Sequence, residues 1–238
     1  MRPVDELIDP KTRGHNSIGL NLIIKGEYEH ALRMLERCAP YMDQMVVIHD
    51  GSCSDDGFVD SCKRLGCIYY EVPDSRAMPD MHRGVAMALT YTDWCFVVDS
   101  DEMPTVELLE GMKDYVNGTS LVGYRVHVHR TERDKVVQEY SHLRLLRILP
   151  DVTWSRLAHS GVINLVGGQV GALPESMLLL HEHEPTAMAI RSERNVGFIE
   201  HMIQRWSNIP QVVVHCNNIA KGNPAAQKLL HRMLGGVV

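Results

Sequence analysis

The chain has 238 residues, of which 45% are hydrophobic and 23% charged, and its formal net charge is -6. That length carries one large domain, or one domain with an appendage, and the acidic balance leaves no electrostatic footprint for nucleic acid or an anionic membrane. No apolar run approaches the roughly eighteen residues that cross a bilayer, and no apolar signal core opens the chain. Six cysteines without a Cys-x-x-Cys pair read as reduced thiols of a cytoplasmic protein.

Residues 1–16 are polar and carry Pro3, Pro10 and Gly14, a loosely held lead-in. Ser17–Ile24 reads as the first strand, broken by Lys25-Gly26-Glu27, and a helix follows with Ala31, Leu32, Leu35 and Cys38 facing the core. Met45–Ile48 is a second buried strand. It runs into His49-Asp50-Gly51-Ser52-Cys53-Ser54-Asp55-Asp56-Gly57, the composition of a tight turn with exposed backbone donors. A helix over Phe58–Leu65 ends at Gly66, Cys67–Val72 is a third strand, and Met81–Tyr91 is helical with Val85, Ala88 and Leu89 on its inner face. Trp94–Val98 is apolar on both alternating faces, as in a parallel strand covered by helices.

That strand delivers Asp99-Ser100-Asp101-Glu102 at its carboxyl end, where open α/β sheets bind ligands, and a helix over Val106–Val116 follows. Carboxylates spaced Asp-x-Asp are costly to bring together unless a cation or strong donors lie between them. Hard oxygen ligands suit Mg²⁺ or Mn²⁺; a solvated acidic turn capping the next helix is the plainer alternative. Strand and helix thus alternate four times in a doubly wound, Rossmann-like arrangement. No Gly-x-Gly-x-x-Gly or Walker lysine follows the first strand.

Beyond Gly118 the period becomes that of antiparallel strands. Leu121–His129 alternates, Lys135–Tyr140 pairs back on it, and Leu143–Leu149 forms another strand. Val152–Ile163 is mixed, Gly167-Gly168 marks a turn, and Met177–Leu180 is a last apolar strand ending in His181-Glu182-His183-Glu184. Ala187–Trp206 and Pro224–Leu234 are helical, the latter with Pro at its start and Gly235-Gly236 past its end.

Four segments together resemble the family 2 glycosyltransferases of the GT-A fold, inverting enzymes that use nucleotide sugars. Leu22–Glu27 resembles the opening strand, with Gly26 where relatives carry Asn. Val46–Ser52 resembles the second strand and its Asp-x-Gly-Ser turn. Arg83 stands sixteen residues before Asp99, as does the arginine of an Ala-Arg-Asn segment, and Asp99–Glu102 resembles the metal-binding Asp-x-Asp-Glu. Arg144-Leu145-Leu146-Arg147, Trp154 and Ala158-His159 match more loosely, with Ser160 where relatives have Glu; Leu180-His181 and Arg194-Asn195 resemble the later histidine and its helix.

The resemblance implies an α/β GT-A fold, with a mostly parallel mixed sheet flanked by helices and a C-terminal helical appendage. The catalytic domain would span 17–185, its nucleotide-sugar half 17–102 and its acceptor half 103–185, with helices over 186–238. It implies a hexosyl-type transfer from a nucleotide-diphosphate sugar, UDP-linked, to an acceptor hydroxyl with inversion. Asp50 would hold the base or ribose, Arg83 the diphosphate, and Lys25, Glu27, Asp99 and Ser100 the rest of the donor. Asp99, Asp101 and His181 would bind Mn²⁺ or Mg²⁺, and Glu102 or Asp151 would be the base, with Glu182 and Glu184 as further carboxylates. Asp50 equally suits a turn acid and Arg83 a surface ion pair. The acceptor stays open among glycan, protein, small molecule and modified nucleobase, as does the oligomeric state. A nucleotidyltransferase and a nucleotide-sugar-binding module with weakened catalysis are the alternatives.

Overall fold

The computed structural model describes residues 15–75, 82–132, 135–149, 153–154, 162–163, 169–182, 196, 199–200, 202–204, 216, 220 and 223–234. Residues 1–74 and 79–183 form one compact unit, and residues 75–78 and 184–238 a second.

The first unit opens as the periodicity leads one to expect: β1 (Ile18–Ile24), α1 (Tyr28–Cys38), β2 (Gln44–Asp50), α2 (Asp56–Arg64), β3 (Ile68–Val72), α3 (Arg83–Ala88) and β4 (Trp94–Asp99). All seven residues of β1 are buried, because it lies between two parallel partners: Leu22 is level with Val47 of β2 and Val98 of β4. Its helix-covered faces form separate apolar clusters. Leu20, Leu22, Met34, Leu35 and Phe96 belong to one; Ile23, Val46, Ile48 and Ala86 belong to another. Gly19 is required by close approach, since a Cβ there would lie 2.6 Å from Thr92 Oγ1.

β5 (Glu102–Pro104) and α4 (Val106–Val116) follow, the helix capped by Thr105 Oγ1 accepting from Leu108 N at 3.3 Å. Then come β6 (Gly123–Glu132), β7 (Lys135–Arg147), β8 (Thr153–Trp154), β9 (Val162–Ile163), β10 (Val170–Ala172) and β11 (Leu178–Glu182). The nine-stranded sheet runs β3-β2-β1-β4-β7-β6-β11-β5, with β10 also on β6, while β8 and β9 pair separately. β4 and β5 are joined by Ser100 and Asp101 alone, yet β7, β6 and β11 lie between them in the sheet. This half must therefore curl back, and the acidic turn bridges the curl.

Three details differ from expectation. The third helix is shorter and rotated: Arg83, Ala86 and Met87 are its buried residues, and Val85 is 37% exposed. Arg83 is drawn inward by a carboxylate on β4, which apolar periodicity does not register. The expected strands 135–140 and 143–149 are one, because two bulges in β7, opposite Tyr124/Arg125 and Arg130/Thr131, keep the long pair together through a polar stretch. Glu102–Pro104, read as a connection, is a strand because β11 pairs with it. The expected turn at Gly167-Gly168 lies outside the described residues.

In the second unit α5 (Pro224–Met233) starts where Asn223 accepts from Ala226 N at 3.2 Å, with Pro at its first turn. It buries Ala226, Leu229 and Leu230. Among the described residues no helix is long and apolar enough to cross a membrane.

Candidate active site

Asp50 ends β2 and is 1% exposed. A buried carboxylate needs donors, and those that converge on it include Lys25 Nζ at 3.4 Å, from the end of β1, and His82 Nε2 at 3.2 Å. Lys25 also pairs with Asp74. Beside them His49 Nδ1 meets the Gly51 carbonyl at 2.9 Å, so that nitrogen donates and Nε2 accepts from the Tyr28 hydroxyl at 3.0 Å. The turn between β1 and α1 has a left-handed backbone at Gly26 (φ 86°) and at Glu27 (φ 56°), the latter a strained choice for a residue with a side chain. The carboxylate of Glu27 accepts from Ser100 Oγ at 3.2 Å, so the ends of β1 and β4 are tied together.

At the end of β4, two guanidinium groups compensate the first carboxylate. Arg83 pairs with Asp99 Oδ1, and Arg144 Nη2 lies 2.6 Å from Asp99 Oδ2 and also pairs with Glu102 Oε1. Both arginines are under 10% exposed. Burial raises the Asp99 pKa, but the Arg144 and then the Arg83 guanidinium outweigh it and hold the carboxyl well below the usual range. Glu102, 1% exposed, accepts from the Asp99 amide at 3.0 Å; burial above all pushes its carboxyl up to about 7, against the pull of Arg144. The pair of acids has been split into one firmly ionised and one poised near neutrality.

Asp101 faces elsewhere. Its Oδ2 lies 3.0 Å from His181 Nε2 on β11, and the Tyr140 hydroxyl of β7 lies 3.0 Å from His181 Nδ1. The His181 hydrogen bond holds the Asp101 carboxyl below its ordinary pKa, although burial works the other way.

The structure thus gathers Asp50 with Lys25, Glu27 with Ser100, Arg83 with Asp99 and Glu102, and Asp101 with His181. Both Asp99 oxygens are engaged by guanidinium groups, while Asp101 pairs with His181. No group of three or more His, Cys, Asp or Glu side chains able to hold a metal ion occurs among the described residues. Asp151, Ser160, His183 and Glu184, and the side chain of Glu182, lie outside them. Sequence reasoning missed His82, Tyr140 and the role of Arg144. Arg144 was visible only as part of a matching segment, and nothing in a strand's alternation marks Tyr140 as the partner of a histidine 41 residues on.

No protein-family model and no curated protein sequence matches the chain. Solved structures do. S. aureus TarS superposes with a TM-score of 0.57 at 12% identity, over 92% of this chain and 43% of that one. The chain therefore spans less than half the length of that protein. TarS 1–349 in complex with UDP-GlcNAc gives 0.54 at 12% identity over 92% and 71%, and a mycobacterial protein gives 0.54 at 15% identity over 83% and 75%. TarS is among the GT-A-type glycosyltransferases that this chain resembles in structure. The fold is GT-A. The sheet accounts for the placement of three of these groups: Asp50, Asp99 and the Lys25–Glu27 turn lie at the carboxyl ends of adjacent parallel strands β2, β4 and β1. At these identities the likeness is one of fold.

Proposed function

We propose that this chain is a metal-dependent glycosyltransferase that moves a sugar from a UDP-linked donor to an acceptor hydroxyl with inversion, and that residues 17–185 are its catalytic domain. The observation that carries this reading is the division of charge at one sheet end. A buried carboxylate, Asp50, adjoins a guanidinium pair, Arg83 and Arg144, and a separate Asp101–His181 pair. A nucleoside offers N–H and O–H donors for the first; a diphosphate offers oxygens for the second.

In this reading Asp50 accepts from the base or ribose while Lys25 and His82 keep it ionised and oriented. Arg83 and Arg144, pre-aimed by Asp99, present N–H groups to the diphosphate, and Ser100 and Glu27 border the donor. Asp101 and His181 fit a divalent ion: they supply an oxygen and an imidazole nitrogen already side by side, and Tyr140 on the far ring nitrogen is the outer partner that ligating histidines use. Mn²⁺ or Mg²⁺ held there would neutralise charge developing on the leaving diphosphate. For the base, Glu102 and Asp151 remain the candidates; Glu102 has the pKa such a group needs, and its burial requires the 99–102 turn to open before an acceptor reaches it. The UDP-GlcNAc complex of TarS supports the choice of nucleotide.

The test is incubation with a panel of UDP-sugars and Mn²⁺, reading release of UDP, with Asp101→Ala alongside. Metal-dependent release that the substitution abolishes supports the transferase. Pyrophosphate released from a nucleoside triphosphate would instead mean a nucleotidyltransferase, and saturable binding without release a binding module.

A further inference from the structure

Helix α2 ends in a way that places two thiols together. Gly66 has φ +73°, its amide bonds the Lys63 carbonyl at 3.0 Å, and the Cys67 amide bonds the Cys62 carbonyl at 2.9 Å. That pair of backward bonds around a left-handed glycine is a Schellman cap, in which the residue after the glycine packs its side chain on the helical residue five earlier. In most such caps an apolar contact fills that place. Here both positions are cysteines, Cys62 in the apolar core and Cys67 packed against that core. The two differ in environment: Cys62 is 0% exposed, whereas Cys67 is half-buried and reaches the surface.

We propose that Cys62 and Cys67 are a modification site, a dithiol that a hydroperoxide oxidises to an intramolecular disulfide. The Cys67 sulfur is the attacking atom, since it is the accessible one, and the neighbouring Cys62 thiol favours its thiolate while that thiolate and burial keep Cys62 protonated. The Cys67 thiolate attacks one peroxide oxygen, the O–O bond breaks, and the leaving oxygen takes a proton to depart as water from hydrogen peroxide, or as an alcohol from an organic hydroperoxide. Cys67 is now a sulfenic acid. The Cys62 sulfur then attacks the Cys67 sulfur, the S–O bond breaks, and the Cys62 proton leaves with the hydroxyl as a second water. Two thiols have lost two electrons and the peroxide has gained them. Disulfides need their Cα atoms within about 7 Å, and the 2.9 Å bond from the Cys67 amide to the Cys62 carbonyl holds the two residues close together. Cys53 is the rival thiol, close enough to Cys62 to influence it; its sulfur is engaged with the Asp55 carbonyl at 3.4 Å.

The experiment is treatment of the reduced full chain with hydrogen peroxide, alkylation of remaining thiols, and tryptic peptide mapping. Trypsin cuts after Lys63 and Arg64, between the two cysteines, so the bond joins two peptides that separate on reduction. The expected result is that joined pair with two thiols lost, still formed in Cys53→Ser, and absent in Cys67→Ser with Cys62 left alkylatable. In Cys62→Ala, Cys67 should be captured by a dimedone probe as the persistent sulfenic acid. A Cys53–Cys62 or Cys53–Cys67 link, a dimedone adduct on Cys67 of the unsubstituted chain with Cys62 still free, or six alkylatable thiols after oxidation would each overturn the proposal.

Discussion

The carboxyl of Glu102 shows what a buried residue does to its surroundings. Its pKa rises from 4.5 to about 7 on folding, so between those values the folded protein holds a proton that the unfolded chain has released. Unfolding free energy from this group therefore falls as pH rises from about 4.5 to about 7 and is flat above. At about 1.4 kcal/mol per pKa unit the loss is at most ~3.5 kcal/mol. Asp99 acts in the opposite sense: its lowered pKa gives stability that is present above about 4 and lost as pH falls further. Urea unfolding of the metal-free protein should show Glu102→Gln lacking the decline between about pH 4.5 and 7, while the acid limb stays. Arg144→Ala should cost roughly 3 kcal/mol, because it leaves Glu102 buried without its cation. Adding Glu102→Gln should return part of that loss, and a cycle with no coupling would contradict the pairing. His181→Ala should weaken Mn²⁺-dependent UDP binding about tenfold or more, and Tyr140→Phe less so, by calorimetry. The acids were legible in sequence because they follow a buried apolar run. Their compensation was not: Arg83 lies 16 residues before Asp99 and Arg144 45 residues after it, and charge pairing over such separations leaves no local pattern.

Elements whose ends are set by backbone chemistry were read well. α4 begins at Val106 and ends at Val116 as its apolar spacing and Thr105 indicate, and α2 ends at the glycine that its sequence places there. The same substitution should therefore have opposite signs in two helices. Gly66→Ala meets nothing within 4 Å, but its φ of +73° disfavours a side chain, at a cost of about 1 kcal/mol. Gly84→Ala in α3 also meets nothing within 4 Å and has an ordinary helical backbone, so it should gain ~0.5–1 kcal/mol from propensity. Thermal melts of both variants check the pair. Elements shaped by tertiary partners were read less well. β5 is a strand only because β11 pairs with it, and β7 runs on through exposed Val136 and Val137 because β6 stays beside it.

On the scale of the molecule, the alternation of strands and helices up to Asp99 was enough to anticipate the sheet's first half, where β1–β2 and β2–β3 join neighbours in sequence and β4 crosses back to β1. The second half depends on pairings that no repeat announces, including the return of β11 to β5. That return makes the acidic turn a property of two distant stretches: Thr105 N bonds the Leu178 carbonyl at 3.0 Å, and Asp101 meets His181. Closing such long loops is slow relative to local pairing. Pulsed amide exchange during refolding should find the Asp43 amide, bonded to Ile18 O at 2.9 Å, protected before that of Thr105. Simultaneous protection would argue against the order. The curl of the sheet thus sets a timetable for synthesis. A ribosome making this chain releases Asp99 and Asp101 early, and they wait in an incomplete turn until residue 182 has cleared the exit tunnel. The acidic turn is therefore completed only after both halves of the sheet have been made.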